Sequence, residues 1–353
     1  MTGGTGWLSG ISRIVTTALD SAVVRHAAGD GPLEVALEEV VLGASRRYTR
    51  AELVGATGLD PEEAGRLWRA LGFAEVEDDT VVFNDRDVAA IRLMGSLSDA
   101  GVLAPDVREA VARATAQSMS RLAEWQVGML KRLIESGGEP LTPQQSLQVA
   151  GSVLPALEEL QSYVWRRHLA AAISRLLVTS GGSAAPGDEE GIEQLVVGFA
   201  DMVGFTRTTR KRSVAELSEL IERFGASTTD VISAGHGRII KTVGDEVLFV
   251  ADAVTDGVAI ALALQERVGE EDVLPTLRIG LAAGPVLVRY GDVFGEVVNI
   301  AARLTSHARP DSVLVDRAVA DALEGDERFQ VRPLRPLAVR GYRHLYPWVL
   351  TRA

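Results

Sequence analysis

The sequence predicts an α+β protein: an all-helical N-terminal part, then a C-terminal part with the βαββαβ order of a ferredoxin-like sheet. Three observations carry this. From Val107 to Leu133, apolar residues recur in steps of three and four with one gap at Ser118, the period of a helix. Residues Thr179 to Glu190 read TSGGSAAPGDEE, with nothing apolar to bury, which marks a linker. Beyond it, short apolar runs alternate with amphipathic segments. The expected organisation is therefore a helical domain over 1–178, a linker over 179–190 and a second domain over 191–353.

Taken in order, Tyr48 to Phe73 reads as helix, Gly-containing turn, then a helix opened by Asp60-Pro61, the pattern of a helix-turn-helix. Its second helix begins with Asp60, Glu62 and Glu63, which face phosphates badly. A packing unit is expected there rather than a DNA reader. From 107 onward, Val107, Val111, Ala114, Leu122, Trp125, Met129 and Leu133 form one apolar stripe, with Asp106 at the cap position. A second long helix, Gln144 to Val178, carries Leu147, Val153, Leu157, Leu160, Val164, Leu169 and Leu176 and runs into the linker.

In the C-terminal part, Leu195 to Ala200 is a strand. Ser213 to Ala234 is a helix whose Ser213 and Glu216 spell a capping box, with Val214, Leu217, Ile221, Phe224 and Val231 on one face. Arg238–Thr242 and Val247–Ala251 are strands joined at Gly244-Asp245-Glu246. Ala253–Val268 is a helix, Thr276–Ala282 and Val286–Arg289 are strands, and Val297–Ser306 is a helix. Ser312–Val315, a short helix over Ala318–Glu324 and two tail strands complete the domain. The helices are expected on one face of the sheet.

Composition sets outer limits. The 353 residues suffice for two domains, and cysteine is absent, so disulfides, thiol nucleophiles and Cys-based zinc sites are excluded. A formal charge of −12 and a pI near 5.0 argue against nucleic acid as a partner. No apolar run reaches the roughly 18 residues of a membrane span, and no signal peptide is legible, so a cytoplasmic location is expected.

Three segments carry chemistry. Asp201 ends the first strand, and Asp245 sits at a hairpin tip; two carboxylates meeting at a sheet edge suit hard cations. Gly204-Phe205-Thr206 follows Asp201 in a turn whose N–H groups suit phosphate. Lys241 is one of three lysines in a chain that otherwise uses Arg, four residues before Asp245 and on the same side by strand parity. Asn299 and Arg303, four apart on a helix, share a face; an amide beside a guanidinium suits a ribose and a phosphate.

On these residues the chain resembles the class III adenylate cyclases over 193–350. The resemblance implies roles. Asp201 and Asp245 would bind two ions, Mg2+ or Mn2+, with the Met202 carbonyl as a further ligand. Lys241 and Asp292 would read the purine, Asn299 would orient the ribose, and Arg303 would stabilise transition-state charge. Arg340 would touch the triphosphate. Adenine offers an acceptor at N1 and a donor at N6, which match Lys241 and Asp292; guanine reverses both. ATP is the expected substrate. A homodimer is implied, because in the family the aspartates come from one protomer and the Asn–Arg pair from the other.

Val243-Gly244-Asp245-Glu246-Val247 also looks like the GGDEF signature of diguanylate cyclases, but the first Gly and the final Phe are missing. The alternative from another class is a DNA-binding regulator with a nucleotide-sensing domain. Residues 1–178 are similar to the regulatory domain ahead of acid-responsive mycobacterial-type cyclases, which implies an autoinhibitory module. His168, beside Arg166 and Arg167 on the connecting helix, is the candidate for an acid response.

Overall fold

A computed structural model describes residues 32–136, 141–180, 191–210, 212–271, 273–339 and 342–353. The chain divides into two compact units at Ala184/Ala185. Among the described residues, no helix is long and apolar enough to cross a membrane.

The first unit holds helices α1 (Leu33–Leu42), α2 (Arg50–Thr57), α3 (Pro61–Ala70), α4 (Asp85–Asp99), α5 (Pro105–Ser136) and α6 (Pro143–Ser180). The helix-turn-helix pattern folds locally as its caps dictate. Thr49 and Glu52 form a capping box on α2, and the Asp60 carboxylate accepts from Glu62 N and Glu63 N at the start of α3. Leu53, Phe83 and Val88 form the buried centre, with Trp68 stacked at 4.5 Å from Phe73 and 4.9 Å from Phe83. Asp106 lies within the first turn of α5 rather than before it, because the helix starts at Pro105, which suits a first helical position. The expected stripe on α5 is only partly covered: Ala112 is buried, while Val111 and Trp125 are exposed. On α6, Leu147 packs with Ala36 and Val40 of α1, but Leu160, Val164, Leu169 and Leu176 face out.

The second unit is built on β1 (Ile192–Met202), α7 (Phe205–Thr209), α8 (Val214–Ala234), β2 (Arg238–Val243), β3 (Glu246–Ala251), α9 (Val254–Gly269) and β4 (Leu277–Arg289). Then follow β5 (Asp292–Phe294), α10 (Glu296–His307), β6 (Ser312–Val315), α11 (Arg317–Ala322), β7 (Phe329–Pro333), β8 (Leu337–Val339), β9 (Tyr342–Leu345) and β10 (Trp348–Arg352). The main sheet runs β2-β3-β1-β4-β6-β10-β7, so its first four strands stand in ferredoxin-like order. Among the described residues, only β4 and β6 pair in parallel.

Four features depart from the sequence expectation. The strands placed at 276–282 and 286–289 are one strand, β4, which passes through Gly284 and Pro285 while pairing with Leu195 and Gln194 of β1. The helices cover both faces of the sheet. Val196, Ala200, Phe249 and Ile279 pack with α8 and α9, whereas Val197, Phe199, Leu248 and Ala282 pack with Val297 and Ala301 of α10. On α8 the buried stripe is Leu220, Phe224 and Ile232, while Val214 and Ile221 are exposed. The tail supplies four strands, not two.

Candidate active site

Strand alternation decides where the chemistry collects. On β1, Leu195, Val197 and Phe199 face α10, and Asp201 continues that set by parity. The register places Asp201 opposite Glu246 of β3 on one side and Arg278 of β4 on the other. One step back along the sheet, Lys241, Leu248, Phe199 and Gly280 form the neighbouring row. A bulge between Ile239 and Lys241 sets the phase that brings Lys241 to this face.

The two carboxylates of the sequence reading meet at this end of the sheet. Met202 N donates to the Asp245 carbonyl at 3.0 Å and Val203 N to the Thr276 carbonyl at 2.9 Å, which ties the strand end to the hairpin tip. Gly204 takes φ 75, and its carbonyl accepts from Arg207 N at the start of the short α7. Phe205 packs against the core. Thr206 lies within α7. Lys241 Nζ donates to Asp292 Oδ2 at 2.5 Å, and Asp292 Oδ1 accepts from Val293 N at 2.9 Å. The pair expected to read the purine is thus assembled across β2 and β5. Arg340 lies outside the described residues.

Burial pushes the Asp201 carboxyl above its ordinary range; the bond from Arg278 opposes this, and the charge of Asp245 adds to it. Burial, followed by the charges of Asp201 and Asp245, raises Glu246 in the same direction. These acids therefore crowd one another, which is the electrostatic condition that a bound cation relieves. Among the described residues no cluster of three or more His, Cys, Asp or Glu is placed to enclose a metal. The donor set is two carboxylates and a main-chain carbonyl. It fits an ion that takes oxygen ligands and completes its shell with water and substrate phosphate.

Arg278 went unnoticed in the sequence. Its Nε donates to Asp201 Oδ2 at 2.5 Å, with the carboxylate side chain only 9% exposed. The available signal was a lone cation between Leu277 and Ile279, both buried on the opposite face.

Asn299 and Arg303 stand apart from this cluster. Val297, Ala301, Leu304 and Thr305 of α10 are buried, and Asn299 and Arg303 occupy the exposed side of the same helix. They look away from the sheet that carries Asp201. His168 lies on α6 beside Arg166 and Arg167, all exposed.

Comparison with known proteins adds an independent line. The family described as "Adenylate and Guanylate cyclase catalytic domain" matches residues 188–352. An adenylate cyclase of Streptomyces coelicolor is 40% identical over 353 residues, covering 92% of this chain and 91% of that protein. An adenylate cyclase of Streptomyces griseus is 37% identical, covering 92% and 90%. A protein of Mycobacterium tuberculosis described as a pH-sensitive adenylate cyclase is 32% identical, covering 90% of this chain and 78% of its own length.

Proposed function

Because this chain belongs to the class III adenylate cyclases, we propose that it cyclises ATP to 3′,5′-cyclic AMP in pockets shared between two copies. The observation that carries the shared pocket is the opposed placement just described. Asp201 and Asp245 meet at the end of β1, and Lys241, one row back, holds Asp292 of β5, while Asn299 and Arg303 occupy the exposed side of α10. A second copy related by two-fold symmetry brings its outward pair over the first copy's acids, and two identical sites result.

Lys241 donates to adenine N1 and Asp292 accepts from the N6 amino group. Asn299, from the copy that does not supply Asp201 and Asp245, holds the ribose so that its 3′ oxygen lies in line with the α-phosphorus. That oxygen forms the new bond to phosphorus as the bond to the pyrophosphate oxygen breaks. Arg303 lies against the phosphoryl oxygens and stabilises the charge that grows on them. Asp201, Asp245 and the Met202 carbonyl would hold divalent ions, which would supply charge neutralisation and acidify the 3′-hydroxyl. Arg278, bonded to Asp201 Oδ2, would supply a further positive charge for the polyphosphate. Gly204 and the first residues of α7, Phe205 and Thr206, would offer backbone N–H groups to it. No side chain is assigned as a dedicated base.

Residues 1–178 act on this reading as a regulatory module in cis. The outward Leu160, Val164, Leu169 and Leu176 of α6 are the apolar positions that pairing with a second copy would cover. The 32% identical relative described as a pH-sensitive adenylate cyclase supports an acid response of this module.

The test is turnover. The full chain incubated with ATP and Mg2+ or Mn2+ yields cyclic AMP and pyrophosphate in equal amounts, and Asp245→Ala abolishes both. Nucleotide binding without product by the wild type would overturn the reading.

A further inference from the structure

Helix α10 lies on the sheet with an unusually close backbone approach. A Cβ added at Gly280 would stand 2.4 Å from Thr305 N and 2.6 Å from the Ala301 carbonyl oxygen. The other near atom is the Thr305 hydroxyl at 2.6 Å, so apart from that short side chain the main chain of α10 sets the height of the helix. Thr305 completes the contact. It is 1% exposed, and its hydroxyl lies 2.9 Å from the Ala301 carbonyl and 3.3 Å from the Phe199 carbonyl. Phe199 is the cross-strand neighbour of Gly280 and precedes Asp201 by two residues on the same face. The helix is therefore pinned to the row directly behind the acidic row.

We propose that Thr305 is a positioning residue for Arg303: its hydroxyl fixes α10 on β1, and so sets how far the guanidinium projects. Arg303 lies two residues before Thr305, on the opposite side of the helix. A rigid-body shift of α10 moves it by the same amount, and displacement on the order of 1 Å at a reacting group can cost about a hundredfold in rate. Loosening the staple moves α10 rather than β1, because β1 is laddered along its length to both β3 and β4. Resting on the shared-pocket reading, the effect of Thr305 belongs to the site that receives the chain's Arg303, not to the one that uses its Asp201.

The experiment uses the full chain in mixed dimers purified through two different tags. One chain carries Asp201→Ala, the other Arg303→Ala. Each homodimer is inert, and the mixed dimer regains one site, with Asp201 from the R303A chain and Arg303 from the D201A chain. Thr305→Val, which keeps shape and removes the hydroxyl, is then placed on either chain. On the D201A chain it lowers kcat about tenfold, with KM for ATP within about twofold. On the R303A chain turnover stays within about twofold. Thr305→Ser on the D201A chain restores the rate. Equal losses from both placements, no loss from either, or a serine variant as poor as valine would each overturn the assignment. If the parent D201A/R303A pair is inert, the shared pocket falls, but homodimeric T305V and T305S still decide the staple. A kcat loss cured by serine upholds it, and wild-type turnover in T305V refutes it.

Discussion

Asp316→Asn tests whether burial or hydrogen bonding governs a charge within the sheet's core. Asp316 caps α11, is 8% exposed, and its Oδ1 accepts from Val319 N at 2.9 Å. Burial pushes its pKa from 3.8 up to about 6, against the pull of backbone donors from Val319, Ala283 and Ala318. The folded state therefore holds this proton more tightly than the unfolded one. Below pH 3.8 both states are protonated and the favourable contribution is complete; as pH rises through the window to about 6 it is lost. The rise from 3.8 to about 6, at 1.36 kcal/mol per pH unit, corresponds to about 3 kcal/mol. Asparagine keeps the accepting oxygen of the cap and removes the titration. Urea unfolding of wild type and D316N at several pH values between 3.5 and 7.5 should show the wild type losing about 3 kcal/mol relative to the variant across that range. Parallel stability curves would show that the backbone donors outweigh the burial.

Other outcomes follow from the same geometry. Lys241→Ala and Asp292→Ala should each lower kcat/KM for ATP about ten- to a hundredfold, since either leaves its partner and one adenine edge unpaired at a cost of about 1–3 kcal/mol; steady-state kinetics checks this. Arg278→Ala removes the cation that faces the buried Asp201 and should destabilise the second unit by about 1–3 kcal/mol. Excess Mn2+ should recover part of that loss, read as a rise in melting temperature larger than in wild type. Ser213→Ala breaks the capping box at the start of α8 and should cost about 1 kcal/mol in urea unfolding, with turnover unchanged.

What could be read from the sequence was what short-range chemistry determines. The Ser213–Glu216 box, the Asp60-Pro61 helix start and the Lys241-to-Asp245 hairpin are local, and their side chains announce them. Long-range pairing hid the rest. Gly284-Pro285 looks like a strand break, yet β1 is long enough to hold β4 in register across it. Val214 and Ile221 share an apolar side of α8 with Phe224, but the sheet meets that helix at Leu220 and Ile232 instead. Arg278 was invisible because its significance depends on Asp201, a residue 77 positions away. Asn299 and Arg303 were singled out by their spacing together with the family resemblance, whereas their outward orientation became apparent only once Ala301 and Thr305 were seen to face the sheet.

The Lys241–Asp292 pair is closed before any nucleotide arrives. On the proposed reading, folding has already brought the donor and the acceptor for the base side by side, so little rearrangement is left for the binding step. The pair is also neutral overall. Selection of the base should therefore be nearly indifferent to ionic strength, while added salt weakens the hold on the phosphate tail.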